Sequence, residues 1–220
     1  MKGLLINQFY SVSKSIYLYT IVGVIISSFL LFLSIPYTRM IGTLIVMLFL
    51  VTPALEFLKR EAVSGWNEYV TTLPLKRKTI VKSHYQFYLL LLGLATLISG
   101  AIVIVSRLMP SNENMDVSTI AMIINCISIV IVLGVFVFPA TYLWGSSRAD
   151  AIILVASLIS VMIYQGVALL YAVLLQNFSE QILPWANQDL IFALFYFILS
   201  VIMLFISYSL SIKIYNSKIL

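Results

Sequence analysis

Six stretches of this chain are each long and apolar enough to cross a bilayer, and few folds can accommodate that. They are 16–35, 40–58, 85–106, 118–143, 151–175 and 189–212. A hydrocarbon core about 30 Å thick needs about 20 residues of helix. The runs are continuous rather than alternating, which excludes a transmembrane barrel. Charged residues are 10% of the chain and hydrophobic residues 62%, whereas soluble domains carry about 25% charge. The expected fold class is an all-α integral membrane protein of six transmembrane helices. The second run is the least regular, because Pro53 and Glu56 interrupt its end. The first is longer than a signal-peptide core and ends in IPYTRM rather than in small residues, so it reads as an uncleaved helix.

Six spans place the connecting segments alternately on two sides. One set, 1–15, 59–84, 144–150 and 213–220, holds eleven Lys and Arg; the other, 36–39, 107–117 and 176–188, holds Arg39 and Arg107. Basic residues accumulate on the cytosolic side of membrane proteins, so both termini are expected in the cytosol. The same placement explains the net charge of +5, since anionic headgroups attract Lys and Arg. A nucleic-acid partner is not implied: no basic stripe with groove-reading or stacking elements is present.

The chain divides into an N-terminal segment, 1–15, and a six-helix transmembrane domain, 16–220. In the first, Leu5, Phe9, Val12 and Ile16 fall on one helical face, with Asn7, Ser11 and Lys14 opposite. That pattern reads as an amphipathic interfacial helix; a plain extension of the first span is the alternative. Glu56 reads as a carboxylate that snorkels or pairs with Lys59 at the rim, or else belongs to a conduction path or subunit contact. Residues 56–72 are expected to continue the second helix until Leu73-Pro74 ends it. Lys76, Arg77 and Lys78 then mark re-entry into the membrane, with Thr79 as the expected cap of the next helix. A solvated loop with a basic anchor explains the same composition. Trp144 and Trp185 fall where interfacial aromatics belong.

Catalysis needs polar groups assembled at one point, and the sequence supplies none. The single His lies at a span edge, Asp116, Asp150 and Asp189 lie at span ends, and Cys126 is the only Cys. A transition-metal site is not expected on the same grounds. No P-loop motif is present, so ATP hydrolysis by this chain is not expected. There is neither an internal repeat nor the buried charges used by proton-coupled carriers.

Three places carry a family resemblance. The first is Glu61-x4-Trp66-x2-Tyr69-x3-Leu73-Pro74-x2-Arg77-x2-Ile80-Val81-x-Ser83-x-Tyr85; the second is the opening MKGLL with Phe9-Tyr10; the third is Pro139-x5-Gly145-x2-Arg148. Together they resemble the permease subunits of type-2 ATP-binding-cassette exporters of Gram-positive bacteria, and within these the phenol-soluble-modulin exporters. The chain departs from the family at Asn7-Gln8, where a Lys-acid pair is frequent, and at Ala62, where an acid is frequent. The resemblance implies a coupling segment, 59–82, that docks on a cytosolic ATPase through Glu61, Trp66, Tyr69, Leu73, Pro74 and Arg77. It implies a second cytosolic turn at Pro139, Gly145 and Arg148. It also implies two ATPase partners that carry ATP and Mg, a second permease subunit, identical or sibling, and a cargo path between the permeases. A path with few charges suits amphipathic peptide or lipid-like cargo. The competing classes are an immunity, sensor or scaffold protein without an ATPase, and a secondary carrier.

Overall fold

A computed structural model describes residues 2–32, 36–65, 77–106, 117–174 and 187–217. They form six long helices: α1 Lys2–Phe32, α2 Pro36–Val63, α3 Arg77–Ser106, α4 Val117–Trp144, α5 Ala149–Leu174 and α6 Gln188–Ser217. A 3-10 turn, Ser146–Arg148, leads into α5. All six helices are long and apolar enough to span a membrane. Each holds all or most of one of the apolar runs read from the sequence, and most extend beyond it through polar residues. Helix is the form a chain must take in lipid, where every N–H and C=O has to be satisfied within the segment.

The centre of the bundle is α2 and α4, the two most buried spans. α4 packs most extensively on α6, α1 packs on α2, and α3 bridges α2 and α6. The core runs through Met47, Leu50, Leu55, Phe87, Leu91 and Phe138. Small residues set the close approaches. On α6 the buried face is Ala193, Tyr196, Ser200, Ser207 and Ser211, a seam that lets helix backbones come near one another. Gly23 of α1 faces Phe49, and Gly42 of α2 lies under Ser27 and Leu30.

Segment 2–15 is continuous with the first span rather than a separate helix. Val12 is fully buried, and Leu5 and Ile16 pack on the core, while Phe9 stays exposed. Three of the four residues of the apolar face therefore pack on the bundle, and Phe9 does not.

α2 ends at Val63, not at residue 72. Ser64 N–H makes the last helical bond, 2.9 Å to the Arg60 carbonyl. Gly65 follows with φ +69°, the left-handed conformation that ends helices and that glycine adopts without a Cβ penalty. Thr79 lies within α3 rather than at its cap.

Pro139 sits inside α4. Its ring nitrogen cannot donate, so the Val135 carbonyl one turn earlier loses its helical partner. The Ser207 hydroxyl of α6 donates to that carbonyl at 2.7 Å. A proline defect in one helix is thus repaired by a serine of the next. Ser207→Ala is expected to lower stability by about 1–3 kcal/mol by orphaning a buried carbonyl. In a Pro139→Ala background, where residue 139 regains its N–H, the same change should cost much less. Unfolding titrations of the four proteins in mixed micelles give the comparison.

Candidate functional site

The ends of α2, α4 and α6 and the starts of α1, α3 and α5 lie at one end of the bundle, as six alternating spans require. Polar side chains converge there from all six helices. The centre is Glu61 of α2, which is 5% exposed and faces the equally buried His84 of α3. Glu61 Oε2 lies 3.2 Å from His84 Nε2, a close polar contact without hydrogen-bond alignment. On the other edge of the ring, His84 Nδ1 is 2.7 Å from the hydroxyl of Tyr142 in α4. Phe57 meets the imidazole edge-on and Tyr142 stacks beside it, with Tyr215 of α6 against Tyr142. Whichever ring nitrogen carries the proton, Nε2 is the atom that faces the carboxylate. A carboxylate, an imidazole and a phenol therefore tie α2, α3 and α4 together behind aromatic walls. Such buried groups in a membrane protein either pair with one another or mark function.

Neighbouring contacts extend the tie. Gln8 of α1 donates to Ser83 at 3.0 Å. The Tyr85 hydroxyl of α3 is 2.8 Å from both Ser207 and Ser211 of α6. Arg60 reaches α1, with 3.0 Å to the Ser11 carbonyl and 2.6 Å to the Ser15 hydroxyl. Lys59 pairs with Asp150 at the start of α5. The Glu56 carboxylate accepts from Tyr19 of α1. Its partner is thus a tyrosine and not Lys59, which Asp150 occupies.

The coupling residues named from the sequence divide into two groups. Trp66, Tyr69, Leu73 and Pro74 lie outside the described residues, as does Trp185. Glu61 and Arg77 are placed, one on each side of that segment. Glu61 is enclosed by the bundle, so it positions α2 rather than offering a surface. Arg77 donates to the Asn216 carbonyl at the end of α6, 3.1 Å away. In the second turn, Pro139 lies inside α4, Gly145 has φ +87° and Arg148 is exposed. Gly145 takes a backbone conformation that side chains disfavour, which lets α4 stop and α5 start within a few residues. Among the described residues, no group of three or more His, Cys, Asp or Glu is placed to hold a metal ion.

Sequence reasoning places His84 at a span edge, takes Gln8 only as a departure from the family, and passes over Tyr142 and Ser207. A signal for His84 was present. Ile80, Val81, Phe87 and Tyr88 surround it at helical spacings of three and four, so a helix that begins before residue 80 buries it.

An all-helical bundle of six membrane-length spans has the form of a polytopic membrane protein. The chain matches the family model described as "ABC-2 family transporter protein" over residues 3–216. It belongs to the ABC-2 family, as a membrane permease component of an ATP-binding-cassette exporter, a class that works with ABC ATPase subunits. This makes it a multi-pass protein of the bacterial plasma membrane. No curated protein matches the chain significantly.

Proposed function

We propose that this permease works as a dimer over two cytosolic ATPase subunits and exports an amphipathic peptide or lipid-like cargo. The second permease is an identical or sibling copy, and the exporters of phenol-soluble modulins in Gram-positive bacteria are a functional counterpart that the sequence resembles. Both termini face the cytosol in this reading, and ATP and Mg act on the ATPase partners alone. Segment 59–82 is the coupling element that docks on the ATPase. The carrying observation is that both flanks of the segment are tied to the bundle: Glu61 to His84, and Arg77 to the end of α6. A push on the segment then moves α2 and α3 together and reaches α4 through Tyr142 and α6 through Arg77. An untethered loop would absorb the same push. With its few charges, the lining of a path between permeases favours cargo whose surface is itself largely apolar.

The test is an affinity purification of the tagged chain from native membranes in mild detergent, beside a Trp66→Ala, Arg77→Ala double variant. The expected result is a stoichiometric P-loop ATPase with wild type and at least a tenfold loss with the variant, while membrane insertion is unchanged. An ATPase retained equally by both would remove the segment from the docking role. No ATPase with either would favour an uncoupled scaffold or sensor. Transport in proteoliposomes driven by an ion gradient without ATP would identify a secondary carrier.

A further inference from the structure

The inner end of α4 forms a ridge with an apolar groove on each side. Phe136, Ala140 and Trp144 line both grooves. One groove, about 430 Å³, is closed by Ile152, Val155 and Ile159 of α5. The other, about 370 Å³, is closed by Met203, Ile206 and Leu210 of α6. Residues 136 to 144 span about 12 Å at 1.5 Å per residue, a length suited to the upper part of an acyl chain. Trp144 is 64% exposed at the end of the ridge, where interfacial tryptophans sit at headgroup level. Arg148 lines the first groove and is the cation beside this ridge. Among the described residues its side chain makes no hydrogen bond or ion pair. The nearby Lys59 and Asp150 neutralise each other, so Arg148 leaves the spot with net positive charge.

We propose that this double groove is a binding site for a two-chain anionic phospholipid, whose acyl chains straddle the α4 ridge and whose phosphate pairs with Arg148. Two parallel apolar slots that share a wall match two linked chains; an amphipathic helix would need one continuous trough. The planar guanidinium donates two parallel bonds to a phosphate, which supplies the charge complementarity. The Pro139–Gly145–Arg148 pattern then has a physical role. Pro139 and Gly145 shape the end of the ridge, and Arg148 reads the headgroup. This site is independent of ATPase docking.

The test uses Trp144 as its own reporter. With Trp66 and Trp185 replaced by Phe, the full chain is reconstituted in phosphatidylcholine vesicles. Brominated phosphatidylglycerol or brominated phosphatidylcholine is then added as a contact quencher. Phosphatidylglycerol is expected to quench at about fivefold lower mole fraction, the ratio that one Lys or Arg at an anionic surface supplies. Arg148→Gln should bring the ratio to one, with the folded state checked by gel filtration. Equal quenching by the two lipids in the wild type would overturn the proposal, and so would a preference that survives Arg148→Gln. Protection of Trp144 from both lipids would also overturn it, by showing the ridge covered by a second copy or by cargo. Should Arg148→Gln fail to fold, the wild-type ratio decides alone.

Discussion

Replacing His84 by leucine is expected to destabilise the protein by about 3–5 kcal/mol, the usual result of leaving a buried carboxylate without its partner. Glu61 is 5% exposed, and among the described residues His84 is the basic side chain found against it. Without the imidazole, the carboxylate is left among Phe57, Tyr142 and Tyr215 and must either stay charged in an apolar setting or take up a proton. The reverse change, Glu61→Leu, should cost less, about 1–3 kcal/mol. The imidazole keeps its contact with Tyr142. The double variant should recover most of the loss, because two apolar side chains replace the whole pair. Unfolding of the four proteins in mixed micelles yields the coupling energy. A His84→Leu effect no larger than that of Glu61→Leu, with no coupling, would show that the pair carries no charge interaction. The same set bears on coupling. If the tie transmits force, conservative Glu61→Gln should keep the ATPase bound while lowering transport per ATP hydrolysed, whereas a merely structural tie would leave that ratio unchanged.

The second large effect is expected at Gly134. A Cβ there would lie 2.7 Å from Cε1 of Tyr88 and 2.8 Å from its Cζ. The ring cannot swing aside. Tyr88 is fully buried, its hydroxyl donates to the Val130 carbonyl, and Phe138 packs edge-on against it. Gly134→Ala should therefore cost about 1–3 kcal/mol by overpacking, and Gly134→Val more. In a Tyr88→Leu background, Gly134→Ala should be nearly neutral, since the obstructing ring is gone. Thermal unfolding in detergent, followed by the monodisperse fraction on gel filtration, measures both. A full penalty that persists without the ring would locate the strain in the helix backbone instead.

Gly134 illustrates what sequence reading misses. A lone glycine in an apolar run is common in membrane helices, and nothing beside it in the chain indicates Tyr88, some forty-six positions away. His84 is a similar case. It sits in a basic, turn-rich stretch, and it was read as a residue of the membrane edge. The start of α3 at Arg77 carries it into the bundle. Segment 1–15 shows the opposite situation. Its spacing reads as amphipathic, but periodicity states only that one face of a helix would be apolar. Whether that face meets lipid or protein depends on where Val12 ends up, and it packs in the core.

The chain's own order of residues determined the number of spans, their helical form and the membrane as solvent. All three follow from the length and continuity of apolar runs, and lipid leaves the backbone no alternative to helix. The motif at 61–85 pointed to the family in the same way, since it is a local string of residues. Partners across helices were decided by tertiary structure alone. Glu61 with His84 and Tyr142, Gln8 with Ser83, and Ser207 with the carbonyl freed by Pro139 each join residues distant in the chain. Their pairing depends on helix rotation and depth, which packing volume settles. Within one helix, a polar residue in an apolar run signals only that a partner is needed; the packed bundle supplies which one.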